Sequence, residues 1–535
     1  MLLLSSVDHV LILVAGGLTL ALVERRFPTL GDSLRPLATG WRAPAVVGCL
    51  AAIAVLWVWW PSRSVAVVHD EASYLLQAEL LARGRFTAPA PLVPELSEQA
   101  AVLVVPVLAP KPMPGQALAL VPGVAIGLPW AGPVLLSGLT AAAIFLLVRL
   151  VAGAGSGVLA VVLWISAPGV LRWQPSYFSE VTSTALVLLG WLAAYRWWRS
   201  QRAPWLFACA LAFALLGITR PLTAMAQALP VAGLLLSRVA ATRRWRDLAY
   251  ALCIGGVPLL LVPAQSRAVT GAWNRTPWSL YAEQYIPWDH PGFGLDDRQP
   301  TRALPPDLES AMEEFKELHR EHTLAALPAI LTERVRSVGR QQTIGWRQYL
   351  LPILVVVGTV TYWRIGLLMG LAAVLQFGLY LTYAHQAHWT LYYAELIPMA
   401  MILGALGMAR VERSGSGRRG SQSVVSFGLA LILVILTLPT LGRQRRQHLA
   451  LARPWLALDS ALATTGTSPR FVLVRYGPSH DPHQSLVRNS TDGGDGQLQL
   501  LYEPPASRDS TLRLQFPRRQ AWRYDAITES IMRLW

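Results

Sequence analysis

Two adjacent carboxylates, Asp70 and Glu71, directly follow an apolar stretch that runs from about Ala43 to Trp60. A carboxylate is costly inside a bilayer, so a pair at the point where a membrane helix ends calls for an explanation. One explanation is chemical, because a carboxylate can take the proton from a hydroxyl group as that group attacks. The other is structural, because aspartate is favoured at helix starts and the residues that follow have helical spacing. The pair alone leaves both interpretations open.

The composition of the chain is typical of a membrane protein. Hydrophobic residues make up 53% of the 535 residues and charged residues only 14%, against about 25% in soluble proteins. A further apolar stretch, 115–130, is short and interrupted by proline and glycine, and we interpret it as re-entrant or interfacial. Twelve apolar stretches of suitable length predict membrane helices, at approximately 7–23, 43–60, 132–149, 155–171, 181–197, 204–218, 222–237, 247–264, 349–363, 366–384, 391–409 and 423–441.

Arginine is concentrated in every second connection between the predicted spans. Cytoplasmic connections carry an excess of basic residues, so this alternation predicts which face is cytoplasmic and accounts for the net charge of +15 without a nucleic-acid partner. Both termini and the loops 61–114 and 267–348 then lie on the outer face. The composition is rich in arginine and alanine, which suggests a bacterial protein of the inner membrane with its outer loops in the periplasm. The basic residues are Arg25, Arg26, Arg35, Arg42, Arg149, Arg196, Arg199, Arg202, Arg238, Arg243, Arg244, Arg246, Arg364, Arg410, Arg413, Arg418 and Arg419.

The last part of the chain, 453–535, has a different pattern. The runs FVLVRY, QLQLLYE and TLRLQF are short and β-like, and turn-forming stretches such as TDGGDG separate them. This pattern predicts a small β-rich domain outside the membrane. We therefore divide the chain into a transmembrane domain, 1–442, which carries the acidic pair, and a C-terminal domain, 453–535.

The order of the motifs resembles the GT-C superfamily of membrane glycosyltransferases, which includes the protein O-mannosyltransferases and the aminoarabinose transferase that modifies lipid A. The acidic pair lies in the first outer loop, before an amphipathic helix. KPMPGQALAL (111–120) resembles the segment that follows the pair in that group, and TRPL (219–222) resembles its outer arginine–proline turn. HWTLYYAELIP (388–398) resembles its late RYxxxxxP segment, with Leu391 in place of the arginine.

The resemblance implies a bacterial polytopic enzyme of about 12 transmembrane helices. It would transfer a hexose or pentose from a polyprenyl-phosphate donor to a hydroxyl acceptor at the outer face, with inversion. Asp70 would be the general base, and Glu71 would orient Asp70, bind the acceptor or meet a metal. Lys111 and Arg220 would bind the donor phosphate; otherwise they are interfacial anchors. The sugar, the carrier length and the acceptor, which could be a glycan, a lipid or a protein, stay open.

Several further polar residues fall on the same face and are candidates for substrate binding. Glu180 could instead pair with Arg172, and interfacial aromatic belts are the alternative for the tyrosines. The three cysteines lack the spacing of metal ligands, and His385 and His388 could ligate a metal but have no obvious carboxylate partner. We therefore predict no dedicated structural zinc site, although a role for a divalent metal is left open. These candidates are His69, Tyr74, Glu180, His385, His388, Tyr392 and Tyr393.

Two other functions fit a protein of this kind. A transporter or flippase of lipid-linked saccharides would carry ionisable groups in mid-membrane and inverted repeats, whereas the predicted spans are nearly free of internal charge and no repeat is apparent. A non-catalytic subunit for envelope assembly would use the C-terminal domain as its functional part. Movement of a labelled lipid-linked saccharide without a transfer product would favour the transporter. An assembly subunit would lose its function on deletion of the C-terminal domain but not in Asp70→Asn, whereas the glycosyltransferase hypothesis requires Asp70.

Overall fold

The computed structural model describes residues 6–27, 40–342, 347–416, 424–478, 480–505 and 509–535. A helix lies on each of the twelve predicted spans; Arg35, Arg418 and Arg419 of the charge pattern lie outside the described residues. The helices are Ser6–Arg26, Ala43–Trp59, Ala131–Ala152, Ala154–Ile165, Ser179–Ser200, Ala203–Gly217, Pro221–Thr242, Trp245–Leu259, Arg347–Thr361, Trp363–Tyr380, Leu396–Ser416 and Val424–Leu462.

Helix length and composition confirm a multi-pass membrane protein. Within the described ranges, seven helices are long and apolar enough to cross a membrane, or eight if one bent pair forms a single span. The other predicted spans coincide with shorter or more polar helices. The 115–130 stretch contains only an 11-residue helix, Gly115–Ala125, which at about 1.5 Å per residue is too short to cross.

Glycine allows two membrane helices to touch through their backbones. A Cβ atom on Gly358 would overlap the carbonyl oxygen of Leu403, and one on Gly407 would overlap that of Leu354. Small residues at such contacts are the usual means of close helix packing in lipid, where the hydrophobic effect does not drive association. The Arg347–Thr361 and Leu396–Ser416 helices are therefore held in close register.

The two long outer loops fold into helices of their own. The predicted amphipathic helix of the first loop is present as His69–Ala82, and a small hairpin pairs Val102–Leu103 with Ala109–Pro110. The second loop, 267–348, likewise contains helices. The helices that belong to or border the second loop are Leu261–Thr270, Pro277–Tyr285, Pro306–Glu321 and Leu327–Gln342.

The C-terminal region forms a four-stranded sheet. Its strand order is Leu498–Tyr502, Arg470–Arg475, Gln520–Asp525 and Ser530–Arg533, with the first three parallel and the last antiparallel. The small β region predicted there is confirmed. The prediction of a strand at TLRLQF is wrong, since this run lies mostly in the helix Asp509–Gln515. Parallel strands need a crossover connection, and this helix forms part of it.

One hydrophobic cluster joins the sheet to both outer loops. Val472 of the sheet and Trp455 of the Val424–Leu462 helix pack with Val67 of the first loop and Leu308 of the second. That helix also continues past residue 442, where we placed the end of the transmembrane domain, so the division into two domains stays a prediction. The C-terminal region is packed against the segments that carry the candidate site.

Candidate active site

Five helix ends meet on one side of the bundle and carry most of the predicted site residues. They are joined by hydrogen bonds from Tyr177 to Glu71, from Arg220 to Glu180 and Tyr380, and from Ser183 to Glu395. The ends are the starts of the His69–Ala82, Ser179–Ser200, Pro221–Thr242 and Leu396–Ser416 helices and the end of Trp363–Tyr380.

Glu71 is buried, with only 3% of its surface exposed. Its Oε2 accepts hydrogen bonds from the backbone N–H groups of Val67 (2.8 Å) and Val68 (3.0 Å), and its Oε1 accepts one from Tyr177 (2.9 Å). Burial raises the pKa of Glu71, while these backbone hydrogen bonds act in the opposite direction. The carboxylate thus caps its own helix and ties that helix to the segment before Ser179–Ser200.

Asp70 presents its carboxylate outward, with 47% of the side chain exposed. Its Oδ1 lies 3.6 Å from Nε2 of His69. Burial raises the pKa of Tyr392 and of Tyr281, and the negative charge of Asp70 adds to both rises. The carboxylate is therefore open to solvent and within electrostatic reach of the two segments that carry these tyrosines.

Lys111 is held between aromatic rings. Its ammonium lies 4.2 Å from the ring centre of Trp278 and 4.6 Å from that of Tyr281, and 3.9 Å from Oδ2 of Asp289. Its side chain is 13% exposed and that of Asp289 only 3%. Rings favour a cation most when water is excluded, so Lys111 is a stabilised and nearly buried positive charge. The sequence analysis missed Asp289, which lies in the second loop without a recognisable motif.

Arg220 is buried in a network of carboxylates and hydroxyls. It forms an ion pair with Glu180, and its Nη2 donates to the hydroxyl of Tyr380 at 3.0 Å. Its Nε lies 3.6 Å from Oε1 of Glu395. Glu180 thus pairs with Arg220, whereas the sequence suggested Arg172 as its structural partner. The guanidinium also donates to the hydroxyls of Thr223 (3.5 Å) and Ser179 (3.2 Å).

Glu395 is a fully buried carboxylate that the sequence analysis missed. It accepts hydrogen bonds from the hydroxyl of Ser183 and, at 2.9 Å, from Gln376, whose amide oxygen accepts one from Gln227 at 2.8 Å. An ionisable residue inside the apolar run LYYAELIP was the signal available for it. With Glu180 and Glu395 around one guanidinium, the network holds Arg220 in place rigidly.

Tyr74 and Tyr392 line the space between Asp70 and Arg220. The hydroxyl of Tyr74 is hydrogen-bonded to Ser179, and the charges of Asp70 and Glu180 add to the rise that burial causes in its pKa. The ring centre of Tyr392 lies 5.4 Å from the guanidinium of Arg220. These two predicted substrate-binding tyrosines therefore border the acidic and the basic part of the site together.

The remaining candidates have structural contacts. His385 is buried, with Nδ1 2.9 Å from the carbonyl of Gln386 and Nε2 3.2 Å from the hydroxyl of Tyr393, and burial lowers its pKa well below the ordinary value. Tyr393 is fully buried and stacks on Phe377 at 4.3 Å. His388 is exposed beside Trp389. Substrate binding by these three residues stays a prediction.

The C-terminal region reaches into the site beside His69. The carbonyl oxygen of His483 lies 3.2 Å from Nδ1 of His69, and the two imidazole rings stack with centres 5.2 Å apart. No signal in the sequence pointed to His483, because more than four hundred residues separate the two histidines. The surroundings of the acidic pair thus depend on a segment from the far end of the chain.

Comparison with known proteins gives the fold. No family model and no curated protein matches the chain significantly. The crystal structure of ArnT from Cupriavidus metallidurans in the apo state has a TM-score of 0.50 and 15% identity, over 91% of this chain and 93% of that one. The structure of ArnT from the same organism bound to undecaprenyl phosphate has a TM-score of 0.48 and 14% identity, over 91% and 94%. ArnT is an aminoarabinose transferase of GT-C fold, and the similarity to its apo structure confirms the predicted fold class.

Proposed function

We propose that this protein is an inverting membrane glycosyltransferase that moves a sugar from a polyprenyl-phosphate donor to a hydroxyl acceptor on the outer, periplasmic face. Because one fold serves many functions, the proposal rests on the site rather than on the fold alone. The observation that carries it is a half-exposed carboxylate, Asp70, at the same end of the bundle as two nearly buried cations, Lys111 and Arg220.

A single displacement needs a base for the acceptor proton and positive charge for the departing phosphate, and we assign residues of the site to both roles. Asp70 takes the proton from the acceptor hydroxyl as the oxygen attacks the anomeric carbon. Lys111 and Arg220 stabilise the negative charge on the departing phosphate. Glu71, bound by three backbone N–H groups, holds the helix that carries Asp70. Attack from the side opposite the phosphate inverts the anomeric carbon.

The assignment of the phosphate to these cations fits the composition of the site. Within the described ranges, no three metal-ligating side chains come together. Lys111 is one of two lysines in the chain, and its aromatic surroundings keep its charge poorly hydrated and therefore strongly attractive to an anion. A lipid-borne phosphate would approach along the apolar helices, whereas a water-soluble nucleotide-sugar donor is a cytoplasmic substrate.

The decisive test is Asp70→Asn in membranes that contain the protein. A polyprenyl-phosphate sugar labelled in the sugar is supplied, and the label is followed into the lipid, glycan and protein fractions. Loss of the general base should lower the transfer rate by about 10²–10⁴. Asp297→Asn, an exposed aspartate of the second loop, is the matched control and should transfer normally. Wild-type turnover by Asp70→Asn at equal protein level would exclude the proposed role.

A further inference from the structure

A turn of the C-terminal region lies directly on the helix that carries Asp70. The turn is Asp481–Gln484, and Asp481 holds it by accepting hydrogen bonds from His483 N and from the Gln484 side chain, both at 3.0 Å. Nε2 of His483 lies 3.7 Å from Glu314 in the second loop. The turn is therefore fixed both by its own hydrogen bonds and by the second loop, with its backbone carbonyl directed at His69.

That carbonyl determines which nitrogen of His69 carries a hydrogen. A carbonyl oxygen can only accept, so Nδ1 of His69, at 3.2 Å, must be the donor. In the neutral ring, Nε2 is then the nitrogen with the free lone pair. Nε2 lies 3.6 Å from Oδ1 of Asp70, which is within the looser range found before substrate closes a site.

We propose that His69 receives the proton that Asp70 takes from the acceptor, and that the C-terminal region enables this by holding His69 in the required tautomer. The inference rests on the glycosyltransferase function proposed above. It makes His69 a relay that acts through Asp70, and it makes the carbonyl of His483 a part of the catalytic arrangement supplied by the C-terminal region.

In the proposed reaction, each bond that forms is matched by a bond that breaks. The acceptor oxygen gives its proton to Asp70 and bonds to the anomeric carbon, while the bond from that carbon to the phosphate oxygen breaks and the phosphate keeps the electron pair. The proton then passes from Oδ1 of Asp70 to Nε2 of His69. Nε2 of His69 accepts the proton with its free lone pair, which restores the carboxylate of Asp70. The imidazolium donates to Asp70 and to the carbonyl of His483, and returns its proton to water.

The charges around His69 set the pH range of the relay. Burial lowers the pKa of His69 below 6.5, the charge of Asp70 raises it, and His483 and Lys111 lower it. His69 must start neutral to accept a proton. Above pH 6.5 the ring is neutral and can accept the proton from Asp70. The transfer activity should fall as the pH drops through the pKa of His69, because the ring is then already protonated.

The first test is His69→Asn. The asparagine amide can still donate to the carbonyl of His483 but cannot take up a proton. We expect kcat for transfer from the labelled polyprenyl-phosphate sugar to fall about tenfold or more and KM for the donor to stay within about twofold. The pH dependence of kcat should also lose the component that follows the titration of His69. The matched control is His480→Asn in the same region, where the ring stacks on Tyr476 instead, and kcat should be unchanged. An unchanged kcat in His69→Asn, or a pH dependence identical to that of the wild type, overturns the relay.

A second measurement needs no substrate and no His69 variant. Imidazole hydrogen–deuterium exchange, followed by mass spectrometry on the purified full-length protein, reports the pKa of His69. The pKa of His69 should be below 6.5 in the wild type. It should be lower still in Asp70→Asn, because that variant lacks the negative charge that raises it. A pKa that does not respond to Asp70→Asn overturns the relay. An active Asp70→Asn enzyme would overturn the proposed function itself, whereas an inactive one beside a fully active His69→Asn would overturn only the relay.

Discussion

Asp70 and Glu71 are neighbours in the chain but have opposite surroundings. Consecutive residues on a helix point about 100° apart, so one carboxylate turns toward the protein and the other toward solvent. The oxygens of Glu71 accept hydrogen bonds from three backbone N–H groups, whereas Oδ1 of Asp70 lies 3.6 Å from Nε2 of His69 and its side chain is 47% exposed. The acidic pair therefore divides into an anchoring residue and a residue that is free to react.

Glu71→Gln tests the anchoring role. A glutamine offers one oxygen and places an NH₂ group against the remaining N–H donors, so buried groups lose their partners. We expect the free energy of unfolding to fall by about 1–3 kcal/mol and transfer to slow because Asp70 shifts. Chemical unfolding of the purified protein in detergent measures the first effect. Glu309→Gln, at an exposed glutamate near the start of the Pro306–Glu321 helix, should change stability by less than about 0.5 kcal/mol; equal effects would contradict the assignment.

At the scale of elements, apolar length predicted a helix at each of the twelve expected positions, because that signal is local to each helix. Among the described residues, seven or eight helices are long and apolar enough to cross a membrane. A local signal could not reveal Asp289 or His483, since these side chains enter the site through contacts between distant segments. The run TLRLQF was misread for a related reason: its alternating pattern fits a strand, but the parallel sheet requires a crossover at that point.

The contact between two elements sets the spacing of the proposed phosphate site. Gly115 starts a helix four residues after Lys111, and its N–H donates to the carbonyl of Ile218 at 2.9 Å, next to the turn of Arg220. A Cβ on Gly115 would overlap Thr219 Oγ1 and lie 2.7 Å from the Ile218 oxygen. Only glycine allows the two cation-bearing segments to approach this closely.

Gly115→Ala should therefore separate Lys111 from Arg220. We expect a loss of about 1–3 kcal/mol in unfolding free energy from overpacking, together with slower sugar transfer. The control is Gly233→Ala on the Pro221–Thr242 helix, where an added Cβ meets nothing within 4 Å. That change should leave activity intact and stabilise the helix by up to about 1 kcal/mol. Indistinguishable behaviour of the two variants would refute the role of the contact.

In the whole molecule, the C-terminal region and the first outer loop form an extended interface. Arg488 donates to the carbonyl of Ala66 at 2.5 Å, and the Asn489 side chain donates to that of Ser97 at 2.9 Å. Gly493, in a left-handed conformation, packs on the backbone of Pro89 so closely that a Cβ would overlap its oxygen. Backbone contacts of this kind fix the orientation of the region as well as its attachment.

Gly493→Ala should loosen this interface through both strain and overlap. We expect faster limited proteolysis of the C-terminal region and a loss of about 1–3 kcal/mol in unfolding free energy. Arg83→Ala is the contrasting variant, because it removes only an exposed ion pair with Asp492 (2.7 Å), which contributes at most about 1 kcal/mol. Proteolysis that is as fast in Arg83→Ala as in Gly493→Ala would show that the close backbone contact is unimportant.

The helix Val424–Leu462 has 39 residues, so it extends about 58 Å at 1.5 Å per residue, whereas the hydrocarbon layer is about 30 Å thick. Roughly half of it therefore extends beyond a layer of that thickness. This half carries Trp455, which packs on the sheet, so the length of one helix sets the distance between the C-terminal region and the membrane surface.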